Sequence, residues 1–192
     1  MSSSLIRIAI EIEGTTPLLM NRFTDEAQQK ATSGTGSSLI GDRGTAREQA
    51  EKKLYTHEGE IGIPQPNLFR CFIDAGKFFK NGRSKITTQK TSLIPACVEI
   101  EGMFLPLKTS EDWQVDTRPV RIPATGGRIL AHRPMFEKWG LAFETEVDTS
   151  MISVKLFREL VDAAGKRIGL GDFRPDTKGP FGKFVVVEWD RQ

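Results

Sequence analysis

Hydrophobic and polar positions alternate strictly in residues 5–13, LIRIAIEIE, where Ile6, Ile8, Ile10 and Ile12 stand against Arg7, Ala9, Glu11 and Glu13. Period two predicts a strand with one buried face. Gly14-Thr-Thr-Pro17 ends it, and Leu18, Leu19 and Met20 turn back toward the core. Residues 31–45 are rich in Gly, Ser and Thr. A flexible loop over about 24–45 is expected there, since too little chain precedes it for a separate domain. A short helix at 46–54 and a turn at His57-Glu-Gly-Glu60 follow. Leu68, Phe72 and Phe79 recur at helical spacing, with Phe69 and Ile73 alongside. They predict a helix over 67–80, entered at Pro66 near a capping Gln65 and stopped by Asn81-Gly82. In residues 94–107, Val98 and Ile100 alternate with Cys97 and Glu99, as an extended segment does. Val120, Ile122, Ile129 and Leu130 interleave with Arg121 and Arg128 around Thr125-Gly126-Gly127, which predicts a hairpin at about 115–135. Leu141, Phe143, Thr145 and Val147 mark another strand. Asp148-Thr-Ser150 reads as a helix start. Ile152, Leu156, Leu160 and Ala164, with Phe157 and Val161, form an apolar stripe that Gly165 terminates. Phe184-Val-Val-Val187 is a last strand.

This order predicts an α+β fold over residues 1–192, taken as a single domain. It is the ferredoxin-like (RRM-like) split βαβ, an antiparallel sheet with an inserted hairpin and a flexible loop. Helices would cover one sheet face and leave the other for a ligand, as in RNA-binding modules of this topology. The chain has 192 residues, 38% of them hydrophobic and 27% charged, a globular mix. No run approaches the ~20 apolar residues of a spanning helix. No basic-then-apolar secretory layout opens the chain. Cys71 and Cys97 make neither a disulfide framework nor a zinc site. A cytoplasmic protein, with no membrane and no cofactor or metal, is expected.

Net charge is +2, but it is segregated. Arg70, Lys77, Lys80, Arg83, Lys85 and Lys90 face one acid, Asp74. Arg118, Arg121, Arg128, Arg133 and Lys138 face Glu137 alone. These stretches carry +5 and +4, so the remainder carries −7. If the two stretches share a side of the molecule, they offer a basic face to a polyanion. The alternative is a scatter over different faces.

Residues 165–184 are the most informative segment. Gly165, Gly169, Gly171, Gly179 and Gly182 are interspersed with Arg167, Arg174, Lys178 and Lys183, and with Phe173 and Phe181. Glycine permits close backbone approach and positive φ. Bare N–H groups can cradle phosphate, and an aromatic can stack on a base. The segment lacks the Gly-Lys-Ser/Thr ending of a Walker loop and the third glycine of a dinucleotide fingerprint.

Ile168-Gly-Leu-Gly-Asp-Phe-Arg174 through Pro180-Phe-Gly-Lys-Phe184, following the last helix, resembles the RAMP superfamily. That superfamily includes backbone and crRNA-processing subunits of CRISPR effector complexes. Gly62-Ile-Pro64, leading into a helix at Asn67–Lys80, is similar to the helix entry of the same proteins. The Gly-Asp-Phe-Arg-Pro and Phe-Gly-Lys-Phe pieces are also similar to uncharacterised phage-encoded proteins of this size. The resemblance implies an RRM-like core that binds single-stranded RNA or DNA, RNA being favoured. It implies a homo-oligomer along the strand, or a subunit of a larger ribonucleoprotein, with no catalysis. Finger or thumb elements must be small here, formed by the loop at 24–45 and the hairpin near 118–133.

The expected nucleic-acid contacts are Lys77, Lys80, Arg83, Lys85 and Lys90, then Arg128, His132 and Arg133 of the hairpin. The glycine-rich segment adds Arg167, Gly169, Gly171, Phe173, Arg174, Lys178, Phe181, Gly182 and Lys183. Phe78, Phe79 and Trp139 read as core. Two other functions compete with this reading. One is a metal-independent RNA endonuclease using His132. The other is a phage structural or host-takeover protein whose basic stretches bind an acidic partner. The pairs Glu11/Glu13, Glu144/Glu146 and Asp172/Asp176 read as solvated carboxylates, with no metal-ligand spacing.

Overall fold

The computed structural model describes residues 4–23, 44–121 and 126–192. The loop expected at 24–45 falls almost wholly outside them, as do Ile122 and Thr125 of the hairpin tip.

The alternating segments form strands where their periodicity places them. β1 (Leu5–Gly14) sinks Ile8, Ile10 and Ile12 into the core. β2 is the pair Leu18–Leu19. A short helix, α1 (Ala46–Glu51), follows; Thr45 and Glu48 close its start as a reciprocal capping box. β3 (Thr56–His57) and β4 (Glu60–Pro64) make a tight hairpin, with positive φ at Glu58 and Gly59. Helix α2 (Gln65–Ala75) buries Leu68, Cys71, Phe72 and Ala75. It starts one turn earlier than its apolar stripe suggests, on Pro64, so Gln65 lies inside it and does not cap it. It also stops at Gly76 instead of Asn81-Gly82. Residues 86 and 87 cross it there, and a Cβ on Gly76 would stand 2.3 Å from Thr87 Oγ1. Phe78 consequently leaves the core and is 43% exposed. Asn81-Gly82 instead turn the small hairpin β5 (Lys80–Asn81) and β6 (Ser84–Lys85).

Residues 94–107 are mixed. Helix α3 (Ile94–Cys97) precedes β7 (Val98–Ile100) and β8 (Phe104–Pro106). The expected hairpin is β9 (Gln114–Arg121) paired with β10 (Arg128–Phe136). β11 (Gly140–Asp148) is followed by α4 (Val154–Ala163). Ser153, not Ser150, caps α4, accepting from the Leu156 N–H, while Asp148 accepts from Ser150 in a separate turn. Gly165 does not end the helix. It lies in a wide turn over Ala164–Ile168, where its missing Cβ admits the Phe184 carbonyl, and Gly169 takes the positive φ. β12 (Phe184–Arg191) completes the chain's strands.

The main sheet runs β12-β1-β11-β7, every pair antiparallel. Helices α2 and α4 lie on its apolar face, where Phe72 meets both Phe143 and Phe157 at about 6 Å between ring centres. β2-β10-β9 and β3-β4-β8 form two smaller sheets beside it. The fold is thus a mixed α/β one with antiparallel sheets.

The second face of the main sheet departs from expectation. Alternation and register place Glu11 and Glu13 of β1, Glu144 and Glu146 of β11, and Glu99 of β7 on it. Val185, Glu188 and Asp190 of β12 join them. Among the described residues, Arg7 and Lys108 answer, pairing with Glu146 and Glu11. A face so acidic repels a phosphate chain, so the ligand expected there has no electrostatic reason to bind.

Candidate nucleic-acid interface

The glycine-rich segment packs against the buried side of α2, where the Cys71 thiol donates to the Gly169 carbonyl, and its geometry comes from self-packing. A Cβ on Gly171 would meet the Leu19 carbonyl at 2.3 Å, and those on Gly179 and Gly182 would overlap the carbonyls of Phe173 and Leu170. Most of its amides donate within the chain: Leu170 N–H to Gly182, Asp172 N–H to Leu19, and Gly182 N–H to Pro17, each at 2.8 Å. The glycines build a rigid platform; they do not form an open cradle of bare amides. Phe181 is buried, 6.1 Å from the more exposed Phe173, so of the two expected stacking rings only Phe173 faces water.

Both basic stretches reach this platform. From the first, Lys77 donates to Asp176 at 2.8 Å, and Arg167 lies 4.8 Å over the Phe78 ring with Lys77 on the same ring. From the second, the Arg118 guanidinium lies 4.7 Å over Phe181, and Arg133 donates to Asp172 at 2.6 Å. The register of β9 and β10 explains the last contact. Arg133 stands directly opposite Asp116, and both side chains are 6% exposed. Arg133 is therefore a buried tie between hairpin and platform, held by two carboxylates, and not the phosphate contact its neighbours in sequence suggested. His132 stands opposite Thr117, whose hydroxyl lies 2.8 Å from Nδ1.

Lys80, Arg83 and Lys85 sit together on the β5–β6 hairpin, Lys80 directly across from Lys85. They, Lys90 and Arg128 are exposed and have no ion-pair partner among the described residues. Asn81 ties this hairpin to Met151 near the start of α4. Lys178 is exposed at positive φ, and Lys183 is half-buried with its N–H on Thr16.

Between α2 and the platform lies a cleft of about 230 Å³. Asn67, Arg70 and Asp74 of α2 face Gly171, Asp172 and Arg174 across it, with Asn21 and Tyr55 at one side. Arg174 donates to the Gly171 carbonyl and Asn21 to Asp172, which fixes the platform's edge. The paired Asp74 raises the pKa of Arg70 further, so its charge is permanent. Cys71 forms the floor; its thiol donates to the Gly169 and Ala164 carbonyls, and burial pushes its pKa far above the ordinary thiol range. Burial also pushes Cys97 up, to about 11. Neither is a nucleophile near neutral pH. No group of three His, Cys, Asp or Glu side chains suited to a metal occurs among the described residues. No helix among them is long and apolar enough to cross a membrane. Asn21 and Asn67 carry no signal in the sequence that marks them as site residues, and Arg70 reads there only as one member of a basic stretch, because they converge only through the fold.

No protein-family model matches the chain. No curated protein matches it either. Among solved structures 49 chains match. One belongs to the Type III-B Cmr-beta bound to cognate target RNA. It superposes with a TM-score of 0.55 at 12% identity over 97% of this chain. This chain spans 60% of that one. At such identity the likeness concerns the fold.

Proposed function

We propose that the protein is a non-catalytic, RAMP-like binder of single-stranded nucleic acid, with RNA favoured, that packs with copies of itself or within a larger ribonucleoprotein. The observation that carries this reading is the platform at 165–184, which both basic stretches reach through Lys77–Asp176, Arg118–Phe181 and Arg133–Asp172. Strand order β12-β1-β11-β7, with α2 and α4 as its two crossovers, supports the ferredoxin-like split βαβ. The Cmr-beta chain of similar fold belongs to an RNA-bound complex, which favours RNA over DNA. Phosphates would lie along Lys80, Arg83, Lys85 and Lys90 and across Arg70 and Arg174. The two inert thiols and the His132 ring held by Thr117 suit binding without chemistry. Acidic sheet face and basic edge are complementary, which suits head-to-tail stacking of copies along a strand.

Titrating fluorescent oligouridine at rising salt tests this. Neutralising Z phosphates on a single strand gives a slope of about −0.7Z in log K against log salt. A slope near zero, for RNA and DNA alike, overturns the reading.

A further inference from the structure

Tyr55 also walls a second cavity, of about 440 Å³, on its other side. Arg22, His57, Met103 and Phe104 contribute the rest of the lining that matters here. The His57 and Phe104 rings are 5.5 Å apart and inclined at 47°. Both ride on one three-stranded sheet, since β4 pairs with β3 on one side and β8 on the other. The aromatic wall is therefore held by strands, and the positive φ values of Glu58 and Gly59 set the tight turn that aims His57. Met103 stands at the cavity 75% exposed, a large apolar side chain left in water. Among the described residues, no carboxylate lines the space.

Rings and a bare thioether suit a flat, π-faced ligand. A nucleotide has that chemistry. The cavity also continues the cleft: Tyr55 lines both, and the consecutive residues Asn21 and Arg22 line one each. We infer that this cavity is a stacking pocket for one unstacked base of the bound strand. The base lies against Tyr55 and the His57–Phe104 wall, and the neighbouring backbone passes into the Arg70–Arg174 cleft. The inference rests on the proposed nucleic-acid function and adds where a base is held.

The test uses the whole protein with oligouridine carrying 4-thiouridine, irradiated and mapped by mass spectrometry. It is paired with affinities of His57→Ala and Met103→Glu, whose side chains are exposed, so the fold is retained and a circular-dichroism melt checks it. Crosslinks to Tyr55, His57 or Phe104, and affinity about tenfold weaker in each variant, are expected. Wild-type binding with crosslinks only elsewhere and unchanged variant affinities overturns the pocket and leaves the nucleic-acid function standing. Absence of salt-sensitive wild-type binding to RNA or DNA overturns both.

Discussion

Two surfaces of this molecule carry opposite charge for different structural reasons. The open face of the main sheet is acidic because strict alternation in β1 and β11 puts Glu11, Glu13, Glu144 and Glu146 there. The basic edge is discontinuous in sequence. It arises where the turn after α2, the β9–β10 hairpin and the platform at 165–184 meet through Lys77–Asp176, Arg118–Phe181 and Arg133–Asp172. Near-neutral net charge hides this division. A surface inherited from strand period is legible locally, whereas one assembled from three segments depends on the contacts that bring them together.

Breaking those contacts should produce the largest effect. Arg133→Met removes the buried cation that holds Asp172 and leaves Asp116 to Arg118 alone, and should cost about 3 kcal/mol in urea unfolding, at the lower end of the usual penalty for breaking a buried ion pair. Next comes Gly182→Ala, whose Cβ overlaps the Leu170 carbonyl at a positive φ. Overpacking of that kind costs about 1–3 kcal/mol, and crosslinking to the platform should fall with it. Reversing Lys80, Arg83 and Lys85 to glutamate should leave stability alone, weaken oligouridine binding about 100-fold and flatten the salt slope by about 2. Glu144→Gln with Glu146→Gln on the acidic face should change affinity less than twofold. A large loss there would place the ligand on the sheet after all.

The smallest effect is a pH effect. The Thr45 N–H, followed by its hydroxyl, holds Glu48 below its ordinary value of 4.5 at the start of α1, which packs on β9 and β10. Its folded-state pKa being depressed, the cap's contribution is complete above pH 4.5 and is lost as pH falls through the folded value. Faster hydrogen exchange of the α1 amides below that range, relative to α4, is the expected reading.

The strands and the stripe of α4 were readable because each repeats over several turns or pairs. What was not readable depended on distant neighbours. The stop at Gly76 comes from Thr87 lying across the helix end, and the wide turn at Gly165 comes from the Phe184 carbonyl. Arg133 looked like a ligand contact beside His132. Its pairing with Asp116 follows only once the hairpin register is known. Tyr55, Arg22 and Asn21 belong to no motif, and their place between two cavities exists only in three dimensions. The glycines of 165–184 do bring backbones into close approach, and the surface they approach is the protein's own.

The pairing of β1 with β12 spans nearly the whole described chain, Ile8 lying opposite Arg191. During synthesis, β1 must therefore wait with one flank unzipped until residues 184–191 have left the ribosome, so a nascent chain stalled before them exposes a sticky strand edge that a holding chaperone would be suited to shield.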